Sequence, residues 1–354
     1  MTSWDQAGFR DRLQKTLDDF LDEMAERLAP LGPDAALLLA EGRRSVSGGK
    51  RFRASFCWWG YRAVSPEVSD EDALLRACAA LEMLHASALV HDDYMDASNT
   101  RRGRPATHRA FGAEHREQGW RGDPEQYGAA AAILLGDLLL TWSDELLRRC
   151  GLPADRVADA MDVFDRCRSE VITGQFLDVS VQARGQADVD AAMTVLRYKS
   201  AKYSVERPLH VGATLAGAGP DQLGELTAYG LPLGEAFQLR DDLLGVFGDP
   251  ASTGKPAGDD LVEGKRTVLV ALALDAARPG DAAVLDGALG TPLSQDAVAE
   301  LRHIIDSSGA HDQVEQVITE LVGLSLGHLD ASSLAEPARA VLRELAAAAT
   351  DRAV

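Results

Sequence analysis

The sequence predicts an all-α protein, and three observations carry that expectation. Apolar residues recur at steps of three and four along most of the 354 residues, the spacing that lines one face of an α-helix. No stretch shows the apolar–polar alternation of a half-buried strand, and no Asn-Gly pair marks a hairpin. Long runs rich in Ala and Leu are separated by segments that carry Gly and Pro.

The first helix is the clearest. Phe9, Leu13, Leu17, Phe20, Leu21, Met24 and Leu28 form one apolar stripe. Asp5 or Ser3 can cap its start, and APLGP ends it. Further helices are expected over 71–97, 127–150, 154–182, 188–217, 221–248, 266–277, 295–308, 311–330 and 335–351. Turn-rich segments fall at 30–34, 43–49, 98–128, 183–187 and 249–265. None has the composition of a flexible linker. The expectation is therefore a single domain over 1–354, a large helical bundle around a central cavity. The loops 98–128 and 249–265 each directly follow an Asp-Asp pair, and loops of that length in a compact domain are often functional.

Composition excludes some functions. The formal net charge of -19 argues against general nucleic-acid binding, which needs a basic face. A local cluster of Lys and Arg in a cleft is still compatible with it. Cys57, Cys78, Cys150 and Cys167 show no metal-ligand spacing and read as free thiols packed as small hydrophobes. MTSWDQAGFRDRL lacks the basic start and apolar run of a signal peptide. AAAAILLGDLLLTW is interrupted by Asp137 and is too short to span a bilayer. A cytoplasmic protein with no integral membrane segment is expected.

The chemistry concentrates in LVHDDYMDASNTRRGRP, residues 89–105. On a helix Asp92 and Asp96 are i and i+4 and share a face, with Asp93 beside them. Carboxylates at the end of an apolar helix repel one another unless a cation joins them. Mg²⁺ suits such a place, because it takes one or two carboxylates together with waters and substrate phosphates. FQLRDDLLGVFGDP puts Asp241 and Asp242 at the end of a second apolar helix, with Gln238 one turn earlier. Two acidic pairs on two helices could face each other across a cavity and hold a diphosphate through Mg²⁺. Cations suited to phosphate accompany them: Lys50, Arg51 and Arg53 beside Gly48 and Gly49, then Arg101 and Arg102, Lys199 and Lys202, and Lys255 and Lys265 in a segment that could close as a lid. Any one of these could be an ordinary surface cation. His85 lies seven residues before Asp92, on the same helical face.

These motifs, GGKRFR, LHASALVHDDYMDASNTRRGRP, GQF, YKSA and FQLRDDLLGVFGD...GKPAGDDL..GKRT, resemble those of the polyprenyl synthetase family, the trans-isoprenyl diphosphate synthases. The matches keep the family's order from about residue 45 to 270. The resemblance implies the isoprenoid synthase fold, an all-α homodimer with the active site inside each bundle. It implies head-to-tail condensation of isopentenyl diphosphate with an allylic diphosphate, with three Mg²⁺ ions per active site. By the same resemblance Asp92 and Asp96, supported by Asp93, bind Mg²⁺ bridged to the allylic diphosphate. Asp241, helped by Asp242, holds a further Mg²⁺. Arg101, Lys199, Gln238 and Lys255 contact the allylic substrate, and Ser200 stands where the family usually has Thr. Lys50, Arg53, His85 and Arg102 hold the isopentenyl diphosphate.

One position departs from the pattern. The family's second motif is usually Asp-Asp-x-x-Asp, and Gly245 occupies the place of its third aspartate. Large residues four or five positions before the first aspartate favour short products in this family. Here those positions hold Ala88 and Ser87, which points to geranylgeranyl diphosphate (C20), with C25–C35 products as the alternative, and a floor near Leu84, Met83 or Phe176. The competing classes are a terpene cyclase, a non-catalytic partner subunit of a synthase, and a purely structural helical protein. GGKRFR and TRRGRP speak for the synthase, and the complete first motif speaks against the partner subunit.

Overall fold

The computed structural model describes residues 4–185, 188–248 and 258–351. It is helical almost throughout, and the chain divides into two compact units.

The first unit comprises Met1–Trp58 and Glu67–Met161. Helix α1 (Gln6–Leu28) starts at Asp5, whose side chain accepts from the Gly8 amide, and buries Phe9, Leu13, Leu17, Leu21 and Met24. It is followed by α2 (Pro33–Ser45) and α3 (Phe52–Val64), then α4 (Glu71–Met95), α5 (Thr107–Glu117) and α6 (Pro124–Arg148). Asp70 caps α4 by accepting from the Ala73 amide at 2.9 Å. α4 is the central element. It is long and apolar enough to cross a membrane, yet 78% of its most apolar window is buried inside the protein, as in a core helix. It packs on α6 at Gly136. A Cβ there would collide with the His91 ring, and the Ser87 hydroxyl donates to the Gly136 carbonyl at 2.7 Å.

The second unit comprises Trp59–Pro66 and Asp162–Val354. It holds most of α7 (Ala154–Arg184), then α8 (Val189–Val195), which runs through a π-helical stretch, Leu196–Glu206, into α9 (Arg207–Ala216). Next come α10 (Pro220–Phe247), the one-turn α11 (Asp259–Glu263), α12 (Val268–Ala276), α13 (Pro279–Ala288), α14 (Gln295–Ser307), α15 (Ala310–Ala331) and α16 (Glu336–Thr350). Leu239, Leu243 and Val246 of α10 meet Leu261, Leu269, Leu301, Ile305 and Val314 in one apolar core.

Three expectations need correction. The segment 98–128 contains a helix, α5, whose buried face is Thr107, His108, Phe111, Gly112 and His115. One large hydrophobe in such a face leaves no apolar period to detect. The same segment holds a small antiparallel hairpin pairing Thr100 with Pro105 and Arg101 with Arg104. Its two central residues, Arg102 and Gly103, have φ of 52° and 73°, the left-handed pair of a tight two-residue turn. The helices α2, α3, α11 and α13 also fall where the sequence shows no helical period. All four cysteines are free and buried, as expected.

Candidate active site

In the first unit the site is built on one stripe of α4. His85, Ala88, Leu89, Asp92 and Asp96 are all partly open, while Leu84, Ser87, Val90 and Asp93 between them are buried. Asp92 and Asp96 therefore share the open face at the helix end, and the Asp96 amide donates to the Asp92 carbonyl at 2.8 Å. Asp93 points inward and accepts from Arg101 Nε at 2.8 Å, and Arg101 also lies 3.9 Å from the Asp92 carboxylate. The tight hairpin turns Arg101 back onto the aspartates. Its neighbour Arg102 donates to the Ser47 carbonyl at 2.6 Å and lies against Gly49, where a Cβ would come within 3.0 Å of the guanidinium. The motifs around 47–53 and 100–105 thus meet.

His85 registers that meeting. Burial, and then Arg53, Arg102, Arg101 and Arg51, hold its pKa well below the ordinary value, so it is neutral. Burial and the charge of Arg51 also lower the pKa of Arg102. Arg53, Arg101 and Arg102 therefore gather around His85. Arg51, grouped with these cations in the sequence reading, has a structural task instead. It is buried, pairs with Glu82 at 2.9 Å and donates to the Val46 carbonyl at 2.6 Å. Lys50 is exposed beside it.

In the second unit α10 presents Asp241 to solvent and buries Asp242, which accepts from Gln238 Nε2 at 2.7 Å. Burial raises the Asp242 pKa well above the usual carboxylate range, and Asp260 and Asp241 add to the rise. Lys265 donates to Asp260 at 3.2 Å and pairs with Glu263 at 2.6 Å. Lys199 lies on the π-helical stretch and pairs with the buried Asp178 at 2.6 Å, while Ser200 is half-buried next to it. Such stretches recur at functional positions. Gly174 of α7 lets the two segments touch, since a Cβ there would collide with the Lys199 backbone. Lys202 is held by Glu170 at 3.5 Å and Glu206 at 3.7 Å. Lys255 lies outside the described residues.

Two residues escaped the sequence reading. Asp178, three positions after Gln175, holds Lys199, and its spacing from GQF was the available signal. Asp260, inside GKPAGDDL, lies beside Gly245.

The donor set is compatible with magnesium. Every oxygen ligand on offer at Asp92, Asp96, Asp241 and Asp242 is a carboxylate. No three His, Cys, Asp or Glu side chains converge into a ready cage among the described residues. Carboxylate oxygens are hard donors of the kind magnesium takes together with waters and substrate phosphates.

The comparisons with known proteins agree with this arrangement. The polyprenyl synthetase family model matches residues 37–306. The chain is 41% identical to a geranylgeranyl pyrophosphate synthase from Corynebacterium glutamicum, solved with isoprenyl diphosphate and magnesium. That similarity covers 99% of this chain and 100% of the other, with a TM-score of 0.96. It is 30% identical to a short chain isoprenyl diphosphate synthase of Methanothermobacter thermautotrophicus, over 90% of this chain and 91% of the relative. It is 32% identical to a geranylfarnesyl diphosphate synthase of Aeropyrum pernix, over 76% and 79%. The chain belongs to the polyprenyl synthetase family. It is a prenyltransferase of the trans-isoprenyl diphosphate synthase class, with the family's all-α fold.

Proposed function

We propose that this prenyltransferase condenses isopentenyl diphosphate head-to-tail with allylic diphosphates and releases geranylgeranyl diphosphate (C20) as its main product. The observation that carries the reading is the first unit's pairing of two features. These are the open stripe of α4 ending in Asp92 and Asp96, and the gathering of Arg53, Arg101 and Arg102 around His85. The magnesium in the C. glutamicum relative supports a divalent ion here as well.

In this reading Asp92 and Asp96, with Asp93 behind them, and Asp241 with Asp242, hold magnesium, three ions in all. When bound, magnesium neutralises the charge that develops on a departing diphosphate. The chain's own residues do the rest. Arg101 pairs with the buried Asp93 and carries positive charge to the open face beside Asp92. Neutral His85 and the cations Lys50, Arg53 and Arg102 bind the diphosphate of isopentenyl diphosphate, fixing its double bond toward the allylic carbon. Lys199, Ser200, Gln238 and Lys255 contact the allylic diphosphate, with Asp178 aiming Lys199. Ala88 and Leu89, on the same stripe as the aspartates, give the allylic chain an apolar bed that keeps water from the carbocation left when the allylic C–O bond breaks and the diphosphate departs. The proton lost from the condensed product goes to the released diphosphate.

The small Ala88 on the open stripe and buried Leu84 one turn further support C20. C25–C35 products are the alternative, and the A. pernix relative is named for such a product. A cytoplasmic homodimer completes the reading. Asp92→Asn tests it: turnover of isopentenyl diphosphate should fall on the order of 10²–10³-fold, the loss typical when one element of charge stabilisation is removed, with an unchanged helical circular dichroism spectrum. Full activity in that variant removes Asp92 from the site.

A further inference from the structure

The π-helical stretch Leu196–Glu206 carries Lys199 and runs for 11 residues. π-Helical geometry is rare and mostly confined to a single turn, so a run of this length is held by what packs on it. Glycines of two helices seat it. A Cβ at Gly174 of α7 would collide with the backbone of Tyr198 and Lys199, and one at Gly234 of α10 with the Ala201 carbonyl. Charged side chains hold both ends. Near the start Arg197 donates to the buried Glu235 of α10 at 2.6 Å, and Lys199 donates to Asp178 of α7 at 2.6 Å. At the end the Arg207 amide donates to the Lys202 carbonyl, five positions back, and closes the last π turn. Pro208 follows and has no amide to continue the series. Arg207 is 7% exposed, and its guanidinium donates to both oxygens of Glu170 on α7, from Nε to Oε2 and from Nη2 to Oε1, each at 2.7 Å. Such a fork fixes the place and the plane of the guanidinium. Lys202 lies 3.5 Å from the same carboxylate. Glu170 and Asp178 thus grip the stretch at two points of α7, with Gly174 halfway between them.

We propose that Glu170 is a positioning residue for the allylic diphosphate: its fork to Arg207 holds the π-helical register that presents Lys199. The inference rests on the reading of Lys199 as an allylic contact. Glu170 acts through Arg207 and the backbone. Without the fork, Arg207 no longer pins the last π turn, the stretch relaxes toward the α pattern, and Lys199 turns relative to α7.

The test uses the full chain as wild type, Glu170→Gln, Lys199→Gln and the double variant. The readout is kcat together with the KM values for farnesyl diphosphate and isopentenyl diphosphate, measured where each form keeps its helical circular dichroism. Glu170→Gln should raise the farnesyl diphosphate KM about tenfold, an ordinary coupling within one ion-pair network, and leave the isopentenyl diphosphate KM unchanged. A merely structural role would reduce the amount of active enzyme, lowering the apparent kcat with both KM values unchanged. In the Lys199→Gln background the same substitution should add about twofold or less, the scatter of independent sites, because the group it positions is gone. Arg207→Lys keeps the charge and loses the fork, should shift the same KM in the same direction, and carries the test if Glu170→Gln does not fold. An unchanged farnesyl diphosphate KM in Glu170→Gln and Arg207→Lys, equal rises in both KM values, or a rise undiminished in the Lys199→Gln background overturns the inference, while wild-type turnover leaves the proposed function standing. A wild-type chain that consumes neither substrate overturns both.

Discussion

Ser87 and Ala88 are adjacent, yet they do different work. The sequence treats both as small residues next to the growing product. In the structure Ser87 is buried and bonded to the Gly136 carbonyl, whereas Ala88 lies on the open stripe with Asp92. The two substitutions should therefore separate. Ala88→Phe should shorten the dominant product with little change in melting temperature. Ser87→Phe should overpack the α4–α6 contact and lower stability by roughly 1–3 kcal/mol. Chain-length analysis and thermal melting of the two variants decide it, and equal product shortening in both would contradict the assignment. The i, i+4 spacing of Asp92 and Asp96 was enough to put them on one face. The inward turn of Asp93 was not legible, because it depends on Arg101 arriving from a hairpin eight residues away. Arg51 shows the reverse error: its type and place suggest phosphate, but Glu82, thirty-one residues on, claims it.

Long elements with a strong period were readable, and elements held by polar or backbone contacts were not. α1, α4, α6, α7 and α10 match their expected spans closely. The hairpin at 100–105 is too short to alternate. The π-helical stretch has no pattern of its own and follows from what its side chains meet. At its end Arg207 donates to both Glu170 oxygens at 2.7 Å and to His210 Nδ1 at 3.3 Å, so His210 Nε2 carries the proton toward Thr227 Oγ1 at 3.0 Å. Both ring nitrogens are thus committed in the neutral form. Burial lowers the His210 pKa to about 4. The unfolded chain takes up this proton near the ordinary value of about 6.5 and the folded chain does not. Stability is therefore complete above that pH and declines as pH falls from there toward 4, by about 3 kcal/mol over the window. Melting of wild type and His210→Gln between pH 7 and pH 4.5 tests this. The wild type should lose more stability than the variant, and parallel curves would contradict the buried neutral histidine.

Over the whole chain, net charge hides the chemistry. A molecule of net charge -19 concentrates Arg53, Arg101 and Arg102 around one neutral histidine in its first unit. Family membership and reaction class were legible because the motifs are local and ordered along the sequence. The close approach of Gly245 to Asp260 was not, because it spans fifteen residues and two helices. The most direct measurement is one incubation of the purified chain with magnesium, isopentenyl diphosphate and farnesyl diphosphate, with the products separated by chain length and a parallel sample in chelator. The account predicts one dominant C20 diphosphate that disappears with the metal. No consumption of isopentenyl diphosphate with any allylic primer would contradict it.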